Sequence, residues 1–258
     1  MILLSFDIEE FDMPFEYGKA ISFEDQIDIS IRGTIIILDL LQKHGLRATF
    51  FSTVVFAINA PDLIKRIKNE GHELASHTYY HSKFELQDLL NSKLKLQEIS
   101  GAEVYGFRMP RMMPVSVEQI ENAGYSYNSS INPTWLPGRY NNLSSPRIYF
   151  KQGKVIQLPA SVSPLLRIPL FWLAFHNFPL WLYKYLLKKT YHKDSYINIY
   201  FHPWEFIDLN NKERFGFPKY VSKNSGNKMV ERMDRLMQWI NSKNYKCSTI
   251  IDFVKDIT

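Results

Sequence analysis

Residues 1–12 read "MILLSFDIEEFD", an apolar run that leads straight into four carboxylates, Asp7, Glu9, Glu10 and Asp12. "MILLSFDI" has the composition of a buried strand, and the negative charge gathers where that strand ends. Working outward, "QIDISIRGTIIILDLLQKHG" (residues 26–45) repeats apolar residues at helical spacing and closes on Gly45, and "RATFFSTVV" (47–55) supplies a second strand. The rhythm continues with a helix over 62–71, the short strand "HELASH" (72–77), a helix over 84–100, a strand over 104–110 and a helix over 115–124. "GKVIQLP" (153–159) and "INIYFHPW" (197–204) are later strands, and residues 228–244 form a closing helix. Alternating strands and helices imply an α/β architecture, a mostly parallel sheet or barrel. No repeat or low-complexity linker divides the chain, so residues 1–258 are expected to form one domain.

The composition is that of a globular protein, since 45% apolar and 15% aromatic residues over 258 positions can fill a sizeable core. The single cysteine, Cys247, can form neither an internal disulfide nor a thiolate metal cluster. A net charge of +5 is mild, and no basic run is dense enough to argue for nucleic acid. Strand-like sequence starts at Ile2 with no basic segment and cleavage site ahead of it, so a cytoplasmic protein is expected.

In folds of this kind the chemistry collects where strands end, and four polar stretches fall there: "FDIEEF", "SHTYYH", "FRMPR" and "FHPWEF". His77 and His81 are four apart and share a face if the stretch makes one helical turn, so both can reach one metal ion; an exposed polar pair on a loop fits the same spacing. On an extended strand Asp7 and Glu9 project to the same side while Ile8 turns into the packing. Glu10 and Asp12 read as solvated loop charges or a helix-start signal. Carboxylates this close repel unless cations compensate them, and a divalent metal with an arginine would do so.

In order and spacing, "SFDIE", "RATFF", "SHTYYH", "FRMP" and "YFHPWEF" resemble the polysaccharide deacetylase family, carbohydrate esterase family 4, nearly end to end. "GYSYNSSINPTW" with "LPASVSP" and "FHPWEF" looks most like its exopolysaccharide-biosynthesis branch. The resemblance implies a distorted (β/α) barrel of about seven strands that holds one divalent metal, usually zinc, and removes acetyl groups from N-acetylated sugars. Carried over, Asp7 is the catalytic base, Arg108 its tether, and His77 and His81 are metal ligands. Ile8 stands where the common pattern has an aspartate, and Glu9 matches the variant that places the metal carboxylate two positions after the base. Pro110 matches the turn that presents a backbone N–H, here that of Arg111, to the oxyanion, and His202 matches the proton donor. A satisfied strand-end histidine beside Trp204 is the other reading of His202.

Other departures touch the substrate side. Arg111 and Met112 replace the usual tyrosine and glycine, and the Arg111 side chain is a candidate for an anionic sugar or phosphate. Thr134 stands before Trp135 where many members have the aspartate that orients the histidine, and Asn128 stands where relatives of this branch often have aspartate, which leaves the partner of His202 unassigned. Glu205 is a candidate for that role, with a rim salt bridge as its competing occupation. Trp135 and Trp204 are the candidate sugar-stacking rings, and His72 reads as structural.

Residues 163–189, "SPLLRIPLFWLAFHNFPLWLYKYLLKK", are broken by Arg167, His176 and prolines well short of the roughly 20 apolar residues of a spanning helix. They read as barrel-covering helices and core, or as an interfacial patch that docks on the inner face of a membrane beside a lipid-linked glycan. A metal-dependent hydrolase of a small non-sugar amide and a metal-free carbohydrate-binding pseudoenzyme are the alternative functions.

Overall fold

The computed structural model describes residues 1–258. Its strands are β1 (Ile2–Ile8), β2 (Thr49–Ser52), β3 (Glu73–Ser76), β4 (Gly106–Phe107), β5 (Tyr127–Asn128), β6 (Trp135–Leu136), β7 (Tyr140–Asn141), β8 (Phe150–Gln152), β9 (Val155–Gln157) and β10 (Ile197–Phe201). Eight of them form one curled sheet in the order β10-β1-β2-β3-β4-β5-β9-β8. The seven from β10 to β9 run parallel and β8 returns antiparallel at the edge, while β6 and β7 make a separate hairpin. This is the expected distorted barrel. Past β9 the chain swings back to β10, where the Ser161 N–H donates to the Asn198 carbonyl at 2.7 Å and the Asn198 amide donates to Leu158 and Pro159 carbonyls.

The helices are α1 (Phe23–His44), α2 (Val54–Asn59), α3 (Pro61–Asn69), α4 (Asp88–Ser100), α5 (Val117–Asn122), α6 (Trp172–Asn177), α7 (Leu180–Asp194), α8 (Lys212–Phe215), α9 (Lys219–Ser222), α10 (Asn227–Ser242) and α11 (Ile250–Ile257). α1 begins ahead of the apolar repeat because the Ser22 hydroxyl caps it, accepting the Asp25 N–H, and it ends at Gly45 in the left-handed region, φ 62°. β2 stops at Ser52, short of the predicted Val55, because the Thr53 hydroxyl accepts the Phe56 N–H and starts α2 instead. Inside α1, Gly33 meets the turn Pro203–Phe206 so closely that a Cβ would lie 2.0 Å from the Pro203 carbonyl oxygen. Glycine within a helix costs roughly 1 kcal/mol against alanine, and here the contact requires it.

Strand alternation sorts the interior. Ile2, Leu4, Phe6 and Ile8 of β1 face the helices in the main core, while Leu3 turns into the barrel with Phe51, Ala75, Tyr127 and Ile156. Ser5, Asp7 and Glu9 continue the inward row toward the carboxyl ends of the strands, here the upper end. α11 seals the lower end with Ile250, Phe253 and Val254. There Glu73 is buried and accepts hydrogen bonds from Thr49 Oγ1 (2.7 Å), the Tyr127 hydroxyl (2.8 Å) and the Ile251 N–H (2.9 Å).

Within 163–189, Phe171 is core and Trp172 is half-buried, so neither belongs to an exposed apolar patch; Leu165, Leu166 and Trp181 are exposed. No helix is long and apolar enough to cross a membrane.

Candidate active site

All four polar stretches converge at the upper end. Arg108 follows β4 and points into the barrel, fully buried between the rings of Phe51 and Tyr200. Its donors reach acceptors on β1 and just past β5: Nη1 to Asp7 Oδ1 at 2.5 Å, Nη2 to the Ser5 and Ser129 hydroxyls at 3.0 Å, and Nε to the Ser129 carbonyl at 3.0 Å. A fixed guanidinium fork suits that task, and it fixes Asp7 in turn. The other Asp7 oxygen, Oδ2, lies 4.0 Å from His202 Nε2.

Glu9, His77 and His81 are buried, and one ligand atom from each lies within 4.8 Å of the others. Both imidazoles turn Nε2 toward Glu9 Oε2, at 2.9 and 3.1 Å. His77 Nδ1 donates to the Arg108 carbonyl (2.8 Å) and His81 Nδ1 to Asp12 (2.7 Å), and neither partner can donate back. With each Nδ1 proton so held, a ring that gives up its Nε2 proton presents a lone pair beside the Glu9 carboxylate. Three acceptors converging on one point fit a bound cation, and outer partners that fix each imidazole are the usual support of such ligands. Burial alone would push the Glu9 carboxyl up, but the charge of His81 and the hydrogen bond and charge of His77 outweigh it and hold the group at about 2. The two histidines are brought together by a loop turn with Thr78 at φ 67°, where the spacing argument assumed a helical turn.

The structure corrects the reading of Glu10 and Asp12 as solvated charges. Both are buried: Glu10 accepts from the Thr53 hydroxyl at 2.6 Å, and Asp12 joins His81 to Arg111. Arg111 is thereby occupied, since its guanidinium also bonds Glu16 (2.8 Å) and the His81 carbonyl (3.0 Å). It spans the cleft mouth as a strut, which removes the reason to assign it a free anionic group. Its backbone and that of Met112 both take φ 53°, an uncommon conformation for two successive non-glycine residues.

Glu205 is corrected as well. It is fully buried rather than on the rim, accepting the His202 N–H (2.6 Å) and His202 Nδ1 (3.0 Å) on one oxygen and His176 Nε2 (2.9 Å) on the other. Burial alone would raise its carboxyl, but the hydrogen bonds and charges of both histidines outweigh that and hold it low. For His202, burial works against the imidazolium, while Glu205 together with Glu9 and Asp7 raises its pKa on balance. Thr134 donates to the Arg167 carbonyl and Asn128 bonds Gln157 and Ser130, so neither orients His202.

The cleft above these groups is walled by Phe171, Trp172 and Tyr200 on one side and by Leu136, Arg139 and Tyr140 from the β6–β7 hairpin on another. Trp204 lines it too, but it is 3% exposed and stacks on His202 with centroids 4.7 Å apart, so its ring supports the histidine. Trp135 is 59% exposed and lies outside the lining. His72 has the structural place expected of it, accepting the Ala48 N–H beside Phe50. The residues that sequence reasoning missed, His176, Phe171 and Trp172, all come from the apolar 163–189 run. A lone histidine among buried apolar positions of a short helix was the one available signal.

The sequence model for polysaccharide deacetylase matches residues 20–127, and one for a domain of unknown function, DUF3473, matches residues 129–249. The chain carries a polysaccharide deacetylase family segment over residues 20–127. It is 35% identical over 116 residues to a peptidoglycan-N-acetylglucosamine deacetylase of Bacillus cereus, a match covering 43% of this chain and 41% of that protein. It is 47% identical over 45 residues to a chitooligosaccharide deacetylase of a Bradyrhizobium species, covering 17% of this chain and 20% of the relative. The chain thus spans under half the length of these relatives. Among solved structures, an allantoinase superposes with a TM-score of 0.65 at 14% identity, over 98% of this chain and 88% of that one, which shows a shared fold.

Proposed function

We propose that this chain is a polysaccharide deacetylase family member, a metal-dependent hydrolase that removes N-acetyl groups from an N-acetylated sugar in a glycan or glycan precursor. The whole chain acts as one catalytic unit, a reading supported by β10 pairing with β1 and carrying His202 to Asp7. The observation that carries the reading is the juxtaposition of a tethered carboxylate, an oriented histidine and a convergent Glu9–His77–His81 donor set at one cleft. Those three residues would hold one divalent ion, zinc by their donor chemistry, which when bound would polarise the acetamide carbonyl and acidify a water molecule.

Asp7 then accepts a proton from the attacking water as the water oxygen bonds to the carbonyl carbon. The charge that develops on the carbonyl oxygen is met by the Arg111 N–H, a donor worth about 3 kcal/mol in such sites. The left-handed turn at Arg111 and Met112 supports this role, because strained backbone of this kind gathers at functional sites. When the carbon–nitrogen bond breaks, His202 gives its Nε2 proton to the departing sugar nitrogen, leaving acetate and a free amine. A binding module has no use for this complete set.

The test is acetate release, with product masses, from chitooligosaccharides and peptidoglycan fragments by the zinc-loaded protein. Zinc bound at one ion per chain with no acetate from any N-acetylated saccharide would sink the proposal and leave the small-amide or binding-only alternatives. Membership of the exopolysaccharide branch is the reading that the 124–135 and 158–164 motifs support.

Peripheral membrane contact is proposed for a narrower surface than the 163–189 run, namely Leu165, Leu166 and the outward stripe of α7. That stripe sets exposed Trp181 and Tyr185 beside Lys188 and Lys189, with no acidic residue before Asp194, itself paired with Arg147. Sedimentation with anionic liposomes at low salt should be lost in Trp181→Ser, and a wild-type protein that stays in the supernatant refutes the contact.

A further inference from the structure

We infer that His176 is a positioning residue for His202, acting through the carboxylate of Glu205. The inference rests on the reading of His202 as the proton donor. Glu205 is fully buried, and each of its oxygens has an assigned partner: Oε1 takes the N–H and Nδ1 of His202, and Oε2 takes His176 Nε2 at 2.9 Å. A carboxylate can only accept, so the proton of His176 sits on Nε2. Its Nδ1 is buried with no partner, so the ring has one polar anchor and that anchor is Glu205.

His202 depends on the same carboxylate. Around its ring stand Trp204 in a stack and Trp172 and Tyr200 edge-on, none of which offers Nδ1 an acceptor. Glu205 Oε1 alone sets the imidazole's rotation and keeps Nε2 facing Asp7. Without the His176 donor, Oε2 would be a fully buried acceptor with no donor, which is costly. The carboxylate would turn to share the donors left to it, and the Nδ1 bond would lengthen. α6 is braced for the task, since Arg232 clamps its end through the Phe175 (2.6 Å) and Phe178 (2.8 Å) carbonyls and Asn224 binds the His176 carbonyl. The resulting link joins a helix of the cleft wall to the turn that carries the proton donor, 29 residues apart in sequence.

Two variants of the zinc-loaded protein test this. His176→Gln keeps an N–H donor where Nε2 lies, and His176→Met keeps volume without a donor. Proton–nitrogen NMR of the imidazoles should show the His202 Nδ1–H resonance in wild type and in His176→Gln, and lose it in His176→Met. In acetate release His176→Met should lose about tenfold to a hundredfold in kcat with KM within about twofold, and His176→Gln should recover most of kcat. A folded Met variant with the resonance and kcat of wild type overturns the inference, as does a folded Gln variant that lacks the resonance; the Gln arm decides by itself if the Met variant does not fold. Resonance changes as expected in a protein that releases no acetate would uphold the link and refute the deacetylase reading.

Discussion

At the upper end of the barrel Glu9 is held at about 2, whereas at the lower end Glu73, equally withdrawn from water, is pushed up to about 7. Burial acts in the same direction on both. The difference lies in the partners: Glu9 faces two imidazoles, while Glu73 meets two hydroxyls and a backbone N–H. At Glu73 the hydrogen bonds of neutral donors pull the carboxyl down but are outweighed by burial, whereas at Glu9 the charge of the histidines together with the His77 hydrogen bond outweighs it. One barrel therefore carries a carboxylate built to face positive charge at its open end and one built to be sealed at its closed end.

Removing the positive charge at the open end tests this most severely. His77→Ala should lose its bound divalent ion by elemental analysis and fall to background acetate release, since two ligands do not close a site. Full occupancy in that variant would break the comparison. Asp7→Asn should keep the metal and fold and lose about a thousandfold in kcat, because only the proton acceptor disappears; turnover near wild type would remove Asp7 from the mechanism. Arg108→Met leaves Asp7 buried without its cation and should cost about 3–5 kcal/mol in denaturant unfolding, with a loss under 1 kcal/mol counting against the tether.

The closed end yields the smallest change. Glu73 keeps its proton in the folded state up to about 7 and loses it near 4.5 when unfolded, so the folded state binds more protons between those values. Stability should fall as pH rises through that window, by about 3 kcal/mol in all. Glu73→Gln should lack this decline. Parallel wild-type and variant curves from pH 4.5 to 7.5 would show that Glu73 is ionised in the fold, and the contrast between the two ends would vanish.

Legibility divides along similar lines. Asp7 and Glu9 were readable from strand alternation at the end of β1, and His77 and His81 from their short spacing after β3, while Arg108 was reached through the family resemblance. The lower end read only as the strand "HELASH", since nothing local says that Glu73 would meet Thr49, Tyr127 and the start of α11. Glu10 and Asp12 were misread because their burial depends on Thr53, His81 and Arg111, which the fold brings from other loops. The link of His176 to Glu205 was invisible for the same reason, being made by a helix folding back on a turn. Helix boundaries moved where a single hydroxyl, Ser22 or Thr53, capped an end that hydrophobic periodicity does not register.

The contact of Gly33 with Pro203 bears on how such a chain can be recombined. The two matched sequence segments meet between residues 127 and 129, with Gly33 in the first and Pro203 in the second. A shuffled protein that took α1 from a relative with alanine at this crossing would drive a methyl group into the turn holding His202. Gly33→Ala should accordingly lower the melting temperature and displace His202, and an unchanged melting temperature would show slack at the crossing. The two segments are in this sense fitted to each other, and any graft of the first onto another second half has to carry that glycine with it.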